Sequence, residues 1–144
     1  MSIGAEVAAH LPFLRRYARA LTRDADIADD LVQDTLVRAL RSEHLFHGGD
    51  VHSWLYTILT NLNRNRLRSL ARHLMDEALD AARRLGHEIP ESFADFQIER
   101  SWSMGAYKPS SLLDWEAGRP VEVEAIWGEP WRQGKAAGAA MGRL

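Results

Sequence analysis

The feature that most constrains the fold is a stretch of 36 residues, 51–86, that contains no proline and has its only glycine at its end. Proline and glycine are the residues that interrupt helices, so this stretch predicts one long helix from about 51 to 85. Asp50 before it is a suitable N-cap, and Gly86 is a suitable C-terminal cap. No stretch alternates long enough to predict a strand, and residues 121–125, VEVEA, are the one candidate. The sequence therefore predicts an all-α fold.

The apolar residues of this long helix form two stripes that point in different directions. At about 100° per residue, the five-residue step from Leu62 to Leu67 turns the buried face by more than a quarter turn, with the polar residues 63–66 at the change of face. We therefore predict that both halves of the chain pack on this helix, as a single domain of residues 1–144 with one hydrophobic interior. The first stripe consists of Val51, Trp54, Leu55, Ile58, Leu59 and Leu62, and the second of Leu67, Leu70, Leu74, Ala78, Ala81 and Leu85.

Shorter amphipathic stretches complete a predicted compact bundle of five or six helices. Apolar spacings of three and four residues predict helices over 5–21 and 27–40, with Thr22 and Asp24 as the break and the next cap. After Gly86 we predict helices over about 90–104, 111–116 and from 120 past 131. The tail GKAAGAAMGRL is small and rich in glycine, so we expect it to fray.

Composition excludes several classes of protein. The absence of cysteine rules out a disulfide scaffold or a thiolate metal site. No segment has the roughly 20 apolar residues of a membrane span, and the N-terminus does not read as a leader, so we expect a cytoplasmic protein without a membrane partner. Residues 1–72 carry ten arginines against eight acids, and residues 73–144 carry eight lysines and arginines against twelve acids. Nucleic-acid binding would therefore need a local patch in the first half.

A loose group of polar residues, His44, His47, Asp50 and His52, could be read as metal ligands. The spacing of these residues fits no standard helical or zinc-finger metal-binding motif, and we interpret the group as a polar loop. We expect neither a metal nor a cofactor.

Residues 10–70 resemble the second conserved region of an extracytoplasmic-function sigma factor, through LPFLRRYARALTRDADIADDLVQDTLVRAL and WLYTILTNLNRNRLRS. The resemblance implies one set of residues that docks on core RNA polymerase and one that faces the opened promoter strand. Arginine suits phosphate and asparagine suits an unstacked base. The polymerase set is Asp29, Asp30, Gln33 and Asp34, and the promoter set is Trp54, Asn61, Arg64 and Arg68.

Each of these sets also has a purely structural interpretation. The acids can be a helix cap and a solvated first turn, the arginines a solvated face, and Trp54 a core residue. The family usually has an acid where Asn65 stands. No second helix-turn-helix segment follows, so we expect recognition of the upstream promoter element to be missing.

Residues 75–144 resemble the C-terminal helical domain of ketopantoate reductase, an NADPH-dependent dehydrogenase, through ARRLGHEIPESF and MGAYKPSSLLDWEAGRPVEVEAIWGEP. The resemblance implies that Ser110 contacts the substrate and that Glu122 assists near its hydroxyl. Both would need a catalytic lysine and a nicotinamide, and the chain has only Lys108 and Lys135 and no G-x-G-x-x-G motif. We therefore expect no enzyme activity, with Ser110 as a helix-start residue and Glu122 as a surface acid.

The two resemblances meet inside the long helix, between about Ser69 and Met75. Natural fusions usually join at flexible linkers and keep each domain whole. We therefore interpret the chain as an engineered chimera without a native function, in which Trp102, Trp115 and Trp131 fill new contacts.

Two alternatives stay open. The first is a truncated sigma-like module that binds polymerase or single-stranded promoter DNA, and the second is a fragment of a reductase. For the chimera we expect no partner beyond residual binding to polymerase or promoter DNA and a weak homodimer through apolar surface.

Overall fold

The computed structural model describes residues 3–143, which form seven α-helices and no strand. The predicted all-α fold is confirmed, and the VEVEA segment is not a strand. The predicted five or six helices become seven because the first one is divided. The helices are α1 Ile3–Ala9, α2 Leu11–Thr22, α3 Ala25–Arg41, α4 Val51–Arg84, α5 Phe93–Ser103, α6 Ser110–Glu116 and α7 Glu129–Ala136.

The division of the first predicted helix at His10 follows from Pro12. Proline has no N–H to donate to the carbonyl four residues before it, so a helix running through residues 8–12 would lose a hydrogen bond. In the second position of a new helix this missing N–H costs nothing, and Pro12 occupies that place in α2. The prediction of one helix over 5–21 was therefore wrong at this point.

The long predicted helix is α4, and both of its predicted caps are confirmed. The carboxylate of Asp50 accepts the backbone N–H groups of His52 and Ser53 at 3.1 and 3.2 Å. Gly86 has a φ of +91°, and the N–H of His87 donates to the carbonyl of Ala82 at 3.0 Å. This is the hydrogen bond that closes a helix when glycine follows it in a left-handed conformation.

The chain divides into two compact units, Met1–Leu67 (unit 1) and Arg68–Leu144 (unit 2), and α4 supplies residues to both. In unit 1 the predicted first stripe of α4 packs with α1, α2 and α3, with Val51, Leu55 and Leu59 buried and Trp54, Ile58 and Leu62 half-buried. The hydroxyl of the fully buried Thr35 donates to the carbonyl of Leu31 at 2.7 Å, so this polar group is satisfied. The buried apolar residues of unit 1 are Val7, Leu14, Ala18, Ala28, Leu31, Val32, Ala39, Val51, Leu55 and Leu59.

Unit 2 buries a small set of side chains, and the tail belongs to it. Ala139 and Met141 are buried against Ala81 of α4. The indole N–H of Trp131 donates to the carbonyl of Met141 at 3.0 Å, and the N–H of Arg143 donates to Glu77 at 2.9 Å. The expectation that the tail frays was therefore wrong, since its small residues allow close packing.

Gly134 shows how close that packing is. A β-carbon at this position would lie 2.7 Å from the sulfur of Met141 and 3.0 Å from the β-carbon of Ala81. A larger residue at position 134 would force at least the side chain of Met141 to move.

The predicted second stripe of α4 was wrong in most of its positions. Leu67, Leu70 and Leu85 are 40% or more exposed, whereas Leu79 and Ala81 are buried. The alanine Ala81 and the unpredicted Leu79, rather than most of the predicted leucines, are therefore the buried residues of this half of the helix. The tryptophans expected to fill contacts are also exposed: Trp102, Trp115 and Trp131 expose 53%, 74% and 42% of their surface.

The last predicted helix is interrupted by a π-helical turn, Glu124–Gly128, before α7. The N–H of Glu129 reaches back five residues to the carbonyl of Glu124. Pro130 cannot supply the next N–H, and a π turn is one way in which a helix accommodates such a loss.

Candidate nucleic-acid interface

The polymerase-docking residues predicted from the sequence all lie on the solvent side of α3. Asp29, Asp30, Gln33 and Asp34 are exposed, and the opposite side of the helix carries its buried residues. None of the four is the N-cap, because Asp24 fills that role by accepting the N–H of Ile27 at 2.9 Å. Asp26 is the acid of the first turn. Asp24 and Asp26 thus have the roles of helix cap and first-turn acid, and the four predicted polymerase-docking residues have neither role.

A groove runs between α3 and α4 within unit 1 and brings two of these acids beside arginines. It consists of two adjoining clefts of about 390 and 180 Å³ that share Asp34 and Leu62. Arg66 lines the smaller one, and Arg38 and Arg41 line the larger one. The remaining lining residues are Ile27, Asp30, Leu31, Val37 and Ser42. The groove is therefore apolar at its base and charged along its edges.

The promoter-facing residues predicted from the sequence follow one another along α4. Asn61 is two turns after Trp54, and both Asn61 and Arg64 are exposed. Trp54 is half-buried against the core of unit 1, and its ring centroid is 4.9 Å from that of Phe46. Arg68 is exposed and is the first residue of unit 2. Trp54 thus has the core role that the sequence also allowed, whereas Asn61 and Arg64 are accessible to a ligand.

Five aromatic rings lie at the edge between α2 and α4, and the sequence singled out only His52 among them, as a possible metal ligand. We call His10, Phe13, Tyr17, His52 and Tyr56 the aromatic ladder. Consecutive ring centroids are 5.8 Å apart for His10 and His52, 4.0 Å for His52 and Phe13, 6.1 Å for Phe13 and Tyr17, and 4.5 Å for Tyr17 and Tyr56. These separations are within the range of interacting rings or below it. The sequence signal that could have revealed the ladder is the spacing of three or four residues between aromatic side chains, at positions 10, 13 and 17 and at positions 52 and 56.

Tyr17 and Tyr56 lie next to each other at one end of the ladder. A hydrogen bond with Tyr17, followed by the charge of Tyr17 and by burial, raises the pKa of Tyr56 above its ordinary value. Tyr56 therefore stays neutral to a higher pH than an isolated tyrosine, although 40% of its surface is exposed.

At the other end, Asp50 fixes the start of α4 and so the position of His52. Its carboxylate accepts the hydroxyl of Ser53 at 2.5 Å, which is the main reason that the pKa of Asp50 is lowered, and it also accepts two backbone N–H groups. Asp50 is thus committed to a capping role. Within residues 3–143, no group of three or more histidines, cysteines or acids is placed to hold a metal ion.

The residues expected from the reductase resemblance lie in unit 2. Ser110 is the first residue of α6 and is exposed, and Glu122 is exposed just before the π turn. An apolar cleft of about 510 Å³ lies nearby, and neither residue lines it; its walls include Leu112, Trp115, Arg119, Val121, Val123 and Trp127. Arg119 is paired with Asp114 at 2.7 Å.

The two lysines of the chain are engaged elsewhere. The ammonium group of Lys108 lies 2.6 Å from the carboxylate of Glu116, and that of Lys135 lies 5.6 Å from the ring centroid of Trp131. Neither lysine lines the apolar cleft. Unit 2 therefore offers a cleft without an acid or a lysine in its lining.

Comparison with known families assigns both parts of the chain. The C-terminal domain of ketopantoate reductase PanE/ApbA matches residues 56–144. The chain belongs to this family. The sigma2 domain of PhyR matches residues 7–60. Both predicted resemblances are confirmed.

Individual relatives show the same division. The chain is 43% identical over 76 residues to the ECF RNA polymerase sigma factor EcfG of Rhodopseudomonas palustris. This match covers 52% of this chain and 42% of that protein. It is 32% identical over 77 residues to a 2-dehydropantoate 2-reductase of Nostoc sp., covering 54% of this chain and 24% of that protein. It is 35% identical over 69 residues to the RNA polymerase sigma factor HrpL of Pseudomonas syringae, and the match covers 47% of this chain and 38% of that protein.

This chain therefore spans less than half the length of each of these relatives. No solved structure matches it. Nor does any helix in the described part of the chain combine the length and the apolar character needed to cross a membrane.

The two family matches overlap at residues 56–60, inside α4. The ketopantoate reductase match thus begins well before Met75, where the sequence analysis placed its start. Even over this longer range, Lys108 and Lys135 are the only lysines.

Proposed function

We propose that unit 1 is a binding module of the sigma-factor type, which attaches to bacterial RNA polymerase and holds single-stranded promoter DNA. The observation that carries the proposal is the separation of charge among its helices. On α3, four aspartates at 26, 29, 30 and 34 outnumber the two arginines of its last turn, 38 and 41, whereas α2 and residues 51–67 of α4 contain five arginines and no acid. Two relatives that carry the name of RNA polymerase sigma factors add support.

The α3 side suits a protein partner. Asp30 and Asp34 stand at the edge of a groove whose floor contains Leu31 and Leu62. The Nε atom of Arg66, which lines the same groove, is buried without a hydrogen-bond partner among the described residues. A polymerase helix with basic and apolar side chains would match both the acids and the floor.

The α4 side suits a nucleic acid. The guanidinium of Arg64 can contact a phosphate, and the amide of Asn61, on the same exposed part of α4, can hydrogen-bond to an unstacked base. Arg68 is the next exposed arginine along the helix and is proposed as a further phosphate contact.

The polymerase part is tested with purified core RNA polymerase immobilised on a sensor. We expect saturable binding of the whole chain that is lost when Asp30 and Asp34 are both changed to Asn. The matched control changes Glu43 and Glu99, two exposed acids outside the groove, to Gln and removes the same charge. Equal loss in both double variants would show that the binding reflects net charge alone, and would contradict the proposal.

A second candidate is a recombined helical protein, assembled deliberately from two natural fragments and without a native function. It is supported by the overlap of the two family matches within one helix, at residues 56–60. The coding sequence tests the origin: a designed gene should show uniform codon usage on both sides of these codons, whereas a natural fusion should show two patterns. If the chain folds and binds neither polymerase nor promoter DNA, this candidate replaces the first.

For unit 2 we propose that no hydride transfer takes place. Its apolar cleft lacks a lysine and an acid, and Ser110 and Glu122 do not line it. Titration with NADPH, followed by cofactor fluorescence, should show no saturable binding. Tight binding, or oxidation of NADPH with ketopantoate, would contradict this.

A further inference from the structure

We propose that the aromatic ladder is a stacking surface for the bases of single-stranded DNA, with phosphates held by Arg16 of α2 and Arg64 of α4. The inference rests on the proposed function of unit 1. It goes beyond that proposal by assigning residues of α2, together with His52 and Tyr56, to the interface.

The first argument is the arrangement of the rings. The rings of α2 and α4, together with that of His10 just before α2, contact one another one after the next, so they form one continuous edge rather than isolated side chains. They are half-buried on the core side, except Tyr56, which is 40% exposed. Because one side of each half-buried ring already packs against the core, these rings lose little conformational freedom when a base stacks on them. Stacking on such side chains is tolerant of sequence, because every base has a π face.

The second argument is the charge around the ladder. Arg16 of α2 is exposed and adjoins Tyr17, about 100° round the helix, whereas the exposed Arg15 and Arg19 lie on the far side of α2. Arg64 follows Tyr56 by slightly more than two turns, so it lies on the adjoining side of α4. Asp50, next to His52, is an acid close to the ladder, and its carboxylate oxygens are occupied by the hydroxyl and N–H groups that they accept at the start of α4. A polyanion with exposed bases therefore matches this surface better than an acidic or purely apolar partner does.

The third argument is the separation from the α3 groove. The acids of unit 1 that could repel a phosphate backbone are concentrated on α3. None of the five ladder residues lines the groove between α3 and α4. A strand on the ladder and a protein in the groove would thus use different residues of the same unit.

The test compares two labelled strands by fluorescence anisotropy: a short oligothymidylate, and a strand of the same length and charge in which every base is replaced by an abasic site. The wild-type chain should bind the strand with bases at least about fivefold more tightly. Tyr56→Leu, which keeps an apolar side chain against Tyr17 but removes the ring, should abolish this preference while leaving the affinity for the abasic strand unchanged. Tyr56→Phe should keep the preference.

Tyr107→Leu is the matched control, because Tyr107 is 63% exposed and lies in unit 2. It should behave as wild type. If Tyr56→Leu keeps the full preference for bases, the ladder is not the stacking surface, although DNA binding through Arg64 would stand. If the wild-type chain binds neither strand, both the inference and the DNA part of the proposed function are overturned.

A second measurement uses the wild-type protein alone, in case Tyr56→Leu does not fold. Ultraviolet cross-linking to the oligothymidylate, mapped by mass spectrometry, should label Phe13, Tyr17 or Tyr56. Cross-links confined to other aromatic residues would overturn the assignment.

Discussion

Replacing Asn63 by leucine should stabilise the protein, although Asn63 lies in a stretch that reads as polar. Asn63 is only 8% exposed, and its Oδ1 atom is buried with no hydrogen-bond partner among the described residues. It follows Leu59 by one turn, so it continues the buried stripe of α4. An unsatisfied buried acceptor costs about 1–3 kcal/mol, and leucine would remove that cost and add apolar contact. We expect the free energy of unfolding to rise by about 1–3 kcal/mol.

The assay is urea unfolding followed by circular dichroism, with the slope of the transition unchanged between variants. Asn65→Leu is the matched control, because Asn65 is exposed on the same helix, and its effect should stay within about 0.5 kcal/mol. If Asn63→Leu is neutral or destabilising relative to this control, the amide oxygen is hydrated or hydrogen-bonded in solution. The reasoning from its burial would then be refuted.

Three further changes probe the fold. Leu70→Pro removes a backbone donor in the middle of α4, at a cost of about 3 kcal/mol. If residues 1–144 form one domain, calorimetry should show a single unfolding transition at a lower temperature than that of the control variant, Leu70→Ala. Two separate transitions would contradict that prediction. The lowered pKa of Asp50 supplies stability that is present above the unfolded value of about 3.8 and is lost as the pH falls through the folded value. Asp50→Asn keeps a capping side chain, so it should flatten the dependence of the melting temperature on pH below about 4; an unchanged profile would exclude this role. Trp131→Phe removes the donor to the Met141 carbonyl and should cost about 0.5–1.5 kcal/mol in urea unfolding, more than Trp115→Phe, and an equal effect would argue against a packed tail.

The sequence predicted the elements that depend on local signals. Asp24, Asp50 and Gly86 marked helix boundaries because caps act within one turn of the chain. The buried stripe that starts at Val51 was found because large apolar residues repeat at helical spacing.

The errors concern features that depend on tertiary contacts or on a single backbone donor. Pro12 divided a helix that its apolar spacing alone would have continued. In unit 2, Leu70 of α4 is 40% exposed whereas the small residues Ala81 and Ala139 are buried, which hydrophobic periodicity cannot reveal because it ranks residues by size.

The candidate site was predicted only in part, for the same reason. Asn61 and Arg64 were found through a resemblance and are exposed as expected. The aromatic ladder was missed because its rings come from two helices that are far apart in the sequence, and only the packing of α2 beside α4 brings Phe13 next to His52.

We propose above all that the basic side of unit 1 binds the phosphates of single-stranded DNA. The salt dependence of this binding is the most direct test. The logarithm of the binding constant for an oligothymidylate, plotted against the logarithm of the salt concentration, should fall with a slope of about −0.7 for each phosphate contacted. Arg64→Ala should reduce that slope by about 0.7. Binding that is insensitive to salt, or a slope that Arg64→Ala leaves unchanged, would contradict the account.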